Sequence, residues 1–359
     1  MPSTHSIPIK VEPPYTVTVA PGLLANCGEA LTSIIGQCKV AVITESNVAP
    51  LYLATVTGSL QEAGFSVTSF IFPAGEIHKN LHTLEEILEF LAREELTRTD
   101  CVLALGGGVC GDMAGFAAGT YLRGIRCVQL PTTLLAAVDS SVGGKTGVNL
   151  QAGKNLAGLF FQPAAVLCDT ACLKTLPREV FADGMAEVIK TGVLSGGELF
   201  QLSSQDCRSG DMGEIIARCV AHKGKVVEQD EFETGLRKTL NLGHTAGHAI
   251  EQCSNYTVSH GRAVAVGMVI ISRAAEKLGW CEETTSAAIV RALAANGLPT
   301  TMGYTAAELA KAALADKKRS GGEITLVFPN ALGDCRLQTI PVAGLEAVFR
   351  AGLEGWDGY

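Results

Sequence analysis

Between residues 39 and 130, short β-rich runs alternate with helical stretches, and the third run leads directly into three consecutive glycines. The runs at 39–44, 66–72, 101–105 and 127–130 read as strands, while Leu81, Leu84, Ile87, Leu88 and Leu91 place an apolar stripe along a helix between the second and third. Such alternation specifies a parallel, doubly wound sheet with helices on its faces. Sheets of this kind take ligands beyond the carboxyl ends of their strands. That is where Gly106-Gly107-Gly108-Val109-Cys110-Gly111-Asp112 falls.

After Leu176-Pro177-Arg178 the pattern changes. Helical periodicity runs through 180–194, 211–228, 238–253, 261–278 and 284–296, with 324–329 as the one late strand. The chain therefore divides into an α/β domain, residues 1–177, and a mainly α-helical domain, residues 178–359, with no repeat or low-complexity linker between them. At 359 residues it is long enough to give each domain its own core.

Charge limits the partners. A formal net charge of −8 and the lack of a basic tract argue against nucleic acid, so an anionic ligand needs a local cationic pocket. The longest apolar runs, such as 263–271, fall short of the roughly 18 residues that span a bilayer. Residues 1–6 lack the pattern of a secretory signal, which predicts a cytoplasmic protein. Twelve scattered cysteines without a Cys-x-x-Cys pair read as reduced core thiols.

The glycine turn satisfies G-x-G-x-x-G, where bare backbone amides and a helix N-terminus favour a pyrophosphate. It departs from the usual dinucleotide fingerprint, because it is not on the first strand and no acidic residue ends the next one. A second loop, Asp139-Ser140-Ser141-Val142-Gly143-Gly144-Lys145-Thr146-Gly147, misses the phosphate-binding P-loop by one residue: Asp139 stands where a glycine belongs. Lys145 and the pair Lys154-Asn155 still point to anion contacts. Glu187 and Lys190 share a helix face at i and i+3, which on the surface is an ordinary ion pair, but Ala186, Val188 and Ile189 leave little polar surface around them.

Three of the seven histidines, His244, His248 and His260, fall in one short stretch. At about 3.6 residues per turn, Arg237, Asn241, His244 and His248 are expected along one helix face. His244 and His248 have the spacing of an H-E-x-x-H zinc pair, yet position 245 is Thr. A better division takes Glu187, His244 and His260 as metal ligands and leaves His248 for proton or phosphate chemistry.

These motifs occur in one order with Tyr121-Leu122-Arg123-Gly124, Pro131-Thr132-Thr133, Gly184-Met185-Ala186-Glu187, Asp230 to Arg237, Asn241 to Glu251, His260-Gly261 and Asp316-Lys317-Lys318, and together they resemble the 3-dehydroquinate synthase family of sugar phosphate cyclases. The resemblance implies a Rossmann-like N-terminal domain that binds NAD and a helical C-terminal domain that binds one divalent ion, zinc or cobalt. It places NAD contacts on Glu76, Lys79, Gly107, Gly108, Val109, Asp112, Thr132, Thr133, Lys145, Lys154 and Thr175, with Lys154 between the two ligands. Metal ligands fall on Glu187, His244 and His260. Substrate and catalytic contacts fall on Asp139, Lys145, Asn155, Lys190, Lys223, Arg237, Asn241, His248 and Lys317, while Arg123 reaches the neighbouring site of a homodimer.

The activity implied is conversion of 3-deoxy-D-arabino-heptulosonate 7-phosphate to 3-dehydroquinate and phosphate. It proceeds by transient oxidation with NAD, elimination, reduction, ring opening and an intramolecular aldol step. Rival readings are a cyclase of sedoheptulose 7-phosphate and a metal-dependent alcohol dehydrogenase that releases NADH. One position departs from the family pattern: Arg262 follows His260-Gly261 where relatives usually carry Glu, which is expected to alter the electrostatics around the metal.

Overall fold

The computed structural model describes residues 3–207, 210–317 and 322–358, with backbone alone at 315–317. It divides into two compact units, Met1–Pro177 with Lys223–Glu231, and Arg178–His222 with Phe232–Tyr359.

Among the described residues the first unit has nine strands: β1 His5–Ile9, β2 Tyr15–Ala20, β3 Lys39–Glu45, β4 Ser66–Phe72, β5 Cys101–Gly106, β6 Arg126–Pro131, β7 Lys145–Leu150, β8 Gly153–Phe160 and β9 Ala165–Asp169. Seven form one sheet in the order β1-β2-β9-β6-β5-β3-β4. Only the edge pair β1–β2 is antiparallel; the neighbours from β2 through β9, β6, β5 and β3 to β4 run parallel. The four runs read as strands thus become β3 to β6.

Every residue of β5 is buried, as expected of a central parallel strand covered on both faces. Alternate side chains enter different cores. Leu103 and Leu105 pack with Leu31 and Ile35 of α1 (Cys27–Ile35) and Leu60 of α2 (Ala54–Glu62). Val102 and Ala104 pack with Ile87 and Leu91 of α3 (Leu81–Arg93) and Met113 of α4 (Gly108–Thr120).

The P-loop likeness does not survive. A P-loop requires a helix after its Gly-Lys, whereas Lys145 opens β7, which pairs antiparallel with β8. The preceding segment is helical, with a π-helical turn at Ala136–Ser140.

The second unit carries α5 (Arg178–Ser195), α6 (Gly197–Ser203), the start of α7 (Met212–Gln229), α8 (His244–Cys253), α9 (His260–Lys277), α10 (Thr285–Ala295), α11 (Ala306–Lys317) and α12 (Leu345–Leu353). The late strand is β10 (Glu323–Ala331), and it forms a hairpin with β11 (Asp334–Pro341), which periodicity did not flag. Helix α9 is the hub: residues 263–272 are buried, and α5, α8, α10 and α12 pack around them.

Two boundaries differ from expectation. The division departs from a single cut after Pro177, because Lys223–Glu231 group with the first unit. Lys223 Nζ donates to the Asp139 carbonyl at 2.7 Å, and the Lys10 amide and Gln162 amide group donate to Glu228 and Glu231 at 2.8 and 2.7 Å. The helix expected over 238–253 is also broken. Leu236–Asn241 forms a 3₁₀ helix, and α8 starts only after Gly243, whose φ is +78°. A Cβ at Gly243 would come within 2.9 Å of the Val264 carbonyl and 2.8 Å of the Met268 nitrogen, so this break also lets α8 approach α9.

Candidate functional site

In the second unit, three helices converge on one carboxylate. Glu187, in the middle of α5, is completely buried, and its Oε2 is ion-paired with the equally buried Lys190 one turn along the same helix. Its Oε1 lies 3.7 Å from His244 Nε2 and 3.4 Å from His260 Nε2. His244 is the first residue of α8 and His260 the first of α9. Helix starts therefore aim both rings at a fixed point on α5, and the two ring centroids are 5.2 Å apart.

The two imidazoles differ in protonation. His244 Nδ1 faces the Leu242 carbonyl at 3.1 Å; a carbonyl only accepts, so the proton sits on Nδ1 and Nε2 presents a lone pair. Burial, then the Lys190 charge, holds this imidazole well below its ordinary value. His260 behaves oppositely: burial works against its charge, but the carboxylates of Glu187 and Glu251 prevail and raise it to about 10.

Oε2 is met by the Lys190 ammonium, whereas the buried Oε1 accepts no hydrogen bond among the described residues, an arrangement that an ion in reach of all three side chains would relieve. Glu187, His244 and His260 each bring one ligand atom within 4.8 Å of the others, and oxygen plus two imidazole nitrogens suits zinc or cobalt. This much of the expected set is brought together.

The rest of the histidine face is arranged differently. His248, one turn into α8, is exposed, with its ring 5.5 Å from that of His244 and 6.0 Å from that of His260. Arg237 and Asn241 lie on the 3₁₀ helix before Gly243, so they do not continue the His244–His248 face. Arg237 is buried to 1% exposure, and Asn241 Nδ2 donates to Glu233 at 2.7 Å. The Lys317 side chain lies outside the described residues.

In the first unit, the glycine turn joins β5 to α4. Gly107 at the N-cap offers no side chain to the first-turn amides of Gly108 and Val109, which leaves them to an external acceptor. The Thr132 amide donates to the Gly106 carbonyl at 2.9 Å, which sets the Thr132 hydroxyl beside this turn; it is buried and makes no hydrogen bond among the described residues. Thr133 Oγ1 accepts from the Ala136 amide, and Thr175 Oγ1 lies 2.5 Å from the Tyr52 hydroxyl.

Lys79, 5% exposed, donates to Asp112 and to Asn155, each at 2.5 Å. Burial pushes the Asp112 carboxyl up, and Lys79 pulls it back. Asn149 extends the network: its amide group donates to Glu76 at 2.8 Å, and its carbonyl oxygen accepts from the Asn155 amide at 2.9 Å. Four expected residues, Glu76, Lys79, Asp112 and Asn155, therefore form one hydrogen-bonded chain. Lys223 is ion-paired with Asp139. Lys145 is exposed at the start of β7, Lys154 is half-buried on β8, and Arg123 is exposed in a turn where Leu122 and Arg123 have φ of 50° and 68°.

Two contributors escaped the sequence reading. Asn149 connects Glu76 to Asn155 from within a strand. Glu251 is 2% exposed and places Oε1 3.7 Å from His260 Nδ1. Its spacing from His244 and His248, at i+7 and i+3 on α8, was the available signal.

Comparison with known proteins accounts for both units. The model of the 3-dehydroquinate synthase N-terminal domain matches residues 69–183, and that of the C-terminal domain matches residues 184–319. A 3-dehydroquinate synthase of Streptococcus suis is 44% identical over 338 residues, covering 92% of this chain and 95% of that relative. Among solved structures, 2-deoxy-scyllo-inosose synthase complexed with carbaglucose-6-phosphate, NAD+ and Co2+ superposes with a TM-score of 0.87 at 25% identity, covering 98% of this chain and 100% of the other. The 2-epi-5-epi-valiolone synthase of Streptomyces hygroscopicus subsp. jinggangensis, with NAD+ and Zn2+ bound, gives 0.85 at 26% identity, covering 95% and 97%. With both halves matched in order and this identity sustained along nearly its whole length, the chain belongs to the 3-dehydroquinate synthase family.

Proposed function

We propose that the protein converts 3-deoxy-D-arabino-heptulosonate 7-phosphate to 3-dehydroquinate and inorganic phosphate, using NAD and one divalent metal ion. The observation that carries this reading is the buried Glu187 carboxylate with Oε1 facing two imidazoles, in a chain of this family. Glu187, His244 and His260 hold the metal. Glu76, Lys79, Gly107, Gly108, Val109, Asp112, Thr132, Thr133, Lys145, Lys154 and Thr175 hold NAD. The NAD+ and the Co2+ or Zn2+ bound in the two related cyclase structures support both assignments. When bound, the metal supplies Lewis acidity at a substrate hydroxyl and NAD supplies a hydride acceptor that is restored within each turnover.

The chain's own groups do the rest. Lys190 fixes the Glu187 carboxylate by pairing with Oε2, which keeps Oε1 directed at the imidazoles. His248, exposed beside that centre, moves a proton rather than binding the ion. Lys79 orients Asp112 and Asn155 together. Substrate contacts are assigned, as the family resemblance implies, to Asp139, Lys145, Asn155, Lys190, Lys223, Arg237, Asn241, His248 and Lys317. Their cations supply the local positive field that a chain of net charge −8 otherwise lacks.

A homodimer completes the assignment, with Arg123 serving the neighbouring copy. Leu122, Leu156 and Phe160 support it, being 39%, 53% and 41% exposed in the Arg123 turn and on β8. No helix among the described residues is long and apolar enough to cross a membrane. A cytoplasmic location agrees with the twelve cysteines as free thiols. The deciding experiment supplies substrate in large excess over NAD. Many equivalents of phosphate per NAD without a lasting rise in NADH absorbance are expected, whereas stoichiometric NADH would make the protein an ordinary dehydrogenase.

A further inference from the structure

Glu251 is buried to 2% exposure, and it lies against a histidine. Its Oε1 is 3.7 Å from His260 Nδ1, while the opposite ring nitrogen, Nε2, is 3.4 Å from Glu187 Oε1. The imidazole is therefore set between two buried carboxylates, one on each nitrogen. These cannot have the same role, because a ring nitrogen that binds a cation presents its lone pair, and the other nitrogen then carries the proton.

We propose that Glu251 is a positioning residue for the metal centre. Its carboxylate faces the Nδ1–H of His260 as acceptor, fixes the tautomer that leaves Nε2 free to bind the ion, and adds negative charge behind the ring that strengthens it as a donor. The inference rests on Glu187, His244 and His260 being the ligands. His244 has the same provision in a different form, since its Nδ1 is held by the Leu242 carbonyl. One imidazole is oriented by a neutral backbone acceptor and the other by a charged side chain. Both point Nε2 at Glu187.

The backbone supports the assignment. Glu251 lies within the last turn of α8, and its carbonyl accepts from the Tyr256 amide at 2.7 Å and from Ser254 Oγ at 2.8 Å, which closes that end of the helix tightly. Its side chain is thereby held at the α8–α9 packing surface, where α9 starts with His260. An alternative grouping, His248, Glu251 and His260, also brings ligand atoms within 4.8 Å, and would make Glu251 a direct ligand. It would have to use the Nδ1 side of His260, so a second ion there and the orienting role exclude each other.

The test uses the full chain loaded with Co2+ alone. Chelator competition gives the affinity, the visible d–d spectrum reports ligand geometry, and elemental analysis gives the stoichiometry. For Glu251→Gln, which keeps an acceptor but no charge, affinity is expected to fall by about tenfold, and for Glu251→Leu by up to about a hundredfold with an altered spectrum. Glu251→Asp, which withdraws the carboxylate by one methylene, should lie between wild type and Leu, and it carries the test if the Leu chain does not fold. Wild-type affinity and spectrum in the Leu or Asp variant would overturn the proposal, as would a second equivalent of cobalt that is lost with Glu251. Glu187→Gln is measured in parallel: if it too binds cobalt like wild type, it is the ligand set that is wrong.

Discussion

Gly261 rests directly on the backbone of Asp183: a Cβ at this glycine would lie 2.0 Å from the Asp183 carbonyl oxygen. Asp183 also grips the start of α9 with its side chain, whose Oδ1 accepts from Ser259 Oγ at 2.5 Å and from the Arg262 amide at 3.1 Å. Asp183 is one turn before Glu187 on α5, and His260 lies between the gripped residues. Two metal-ligand candidates on different helices are thus fixed by a contact that is neither of them. The contact uses the Arg262 amide, so it does not depend on the side chain at that position.

From this follows a steric prediction. Gly261→Ala has no room for its methyl against a backbone atom, so α9 must shift, at a cost of about 1–3 kcal/mol in stability. Because His260 shifts with the helix, cobalt affinity should fall as well. A thermal melt together with a cobalt titration checks both; a lower melting temperature with unchanged cobalt binding would show that the contact serves packing alone.

The metal ligands should separate cleanly from His248. After dialysis and elemental analysis, Glu187→Ala, His244→Ala and His260→Ala are expected to hold less than one equivalent of metal and to lack turnover. His248→Ala should keep the metal and lose rate. Glu187→Ala has a further cost, because it leaves the Lys190 ammonium buried without its carboxylate, a loss of about 3–5 kcal/mol. Its melting temperature should therefore fall well below that of the histidine variants. Equal metal loss in His248→Ala would reverse the division of roles.

The sheet could be read from sequence because its strands are a local signal, and the expected ligands Glu187, His244 and His260 do lie within reach of one another, although Glu187 is distant from the two histidines in the chain. Buried parallel strands are continuous apolar runs, and a glycine turn after one of them is conspicuous. The histidine face was misread for an equally physical reason: hydrophobic periodicity is insensitive to φ, and it carried the helix straight through Gly243. Glu251 was passed over because a glutamate near a helix end ordinarily faces water, and only tertiary packing of α9 buries this one. The Lys145 loop was placed near a phosphate motif by its glycines, but the residues after it pair as a hairpin with β8, a long-range fact.

Lys79 and Asp112 give a pH-dependent prediction. The Asp112 carboxyl is raised above 3.8 by burial, so the folded state binds that proton more tightly than the unfolded chain. Its contribution to stability is present at low pH and is lost as pH rises from about 3.8 through the folded value. Lys79 limits the loss. Lys79→Met should raise the folded value further and widen that window, so its melting temperature falls increasingly behind wild type as pH rises to neutrality, and NAD binding weakens. Adding Asp112→Asn should remove the pH dependence; persistence of the steep fall in the double variant would assign it to another group.

Arg123 is exposed in a turn with two left-handed residues. If it serves a neighbouring copy, an Arg123→Ala chain and a His244→Ala chain should each be inactive alone. Mixed after verified subunit exchange, they should recover part of the activity, because some mixed dimers hold one intact site. The outcome against it is no recovery in a mixture shown by mass to contain heterodimers.

Substrate choice turns on a carboxylate that sedoheptulose 7-phosphate lacks. Arg237, at 1% exposure, is the candidate to meet it, because a guanidinium held out of water binds a carboxylate strongly. Losing one charged hydrogen-bond partner costs on the order of 1.5–3 kcal/mol, or about ten- to a hundredfold in binding. Wild type should therefore strongly prefer the heptulosonate phosphate in direct competition, and Arg237→Met should lose about that factor of preference, with folding confirmed by its melt. Product analysis of the mixed reaction decides it. If the cyclised product comes mainly from sedoheptulose 7-phosphate, the substrate assignment fails while the metal triangle and the glycine turn keep their roles; if the preference survives intact in Arg237→Met, the carboxylate is recognised by a different cation.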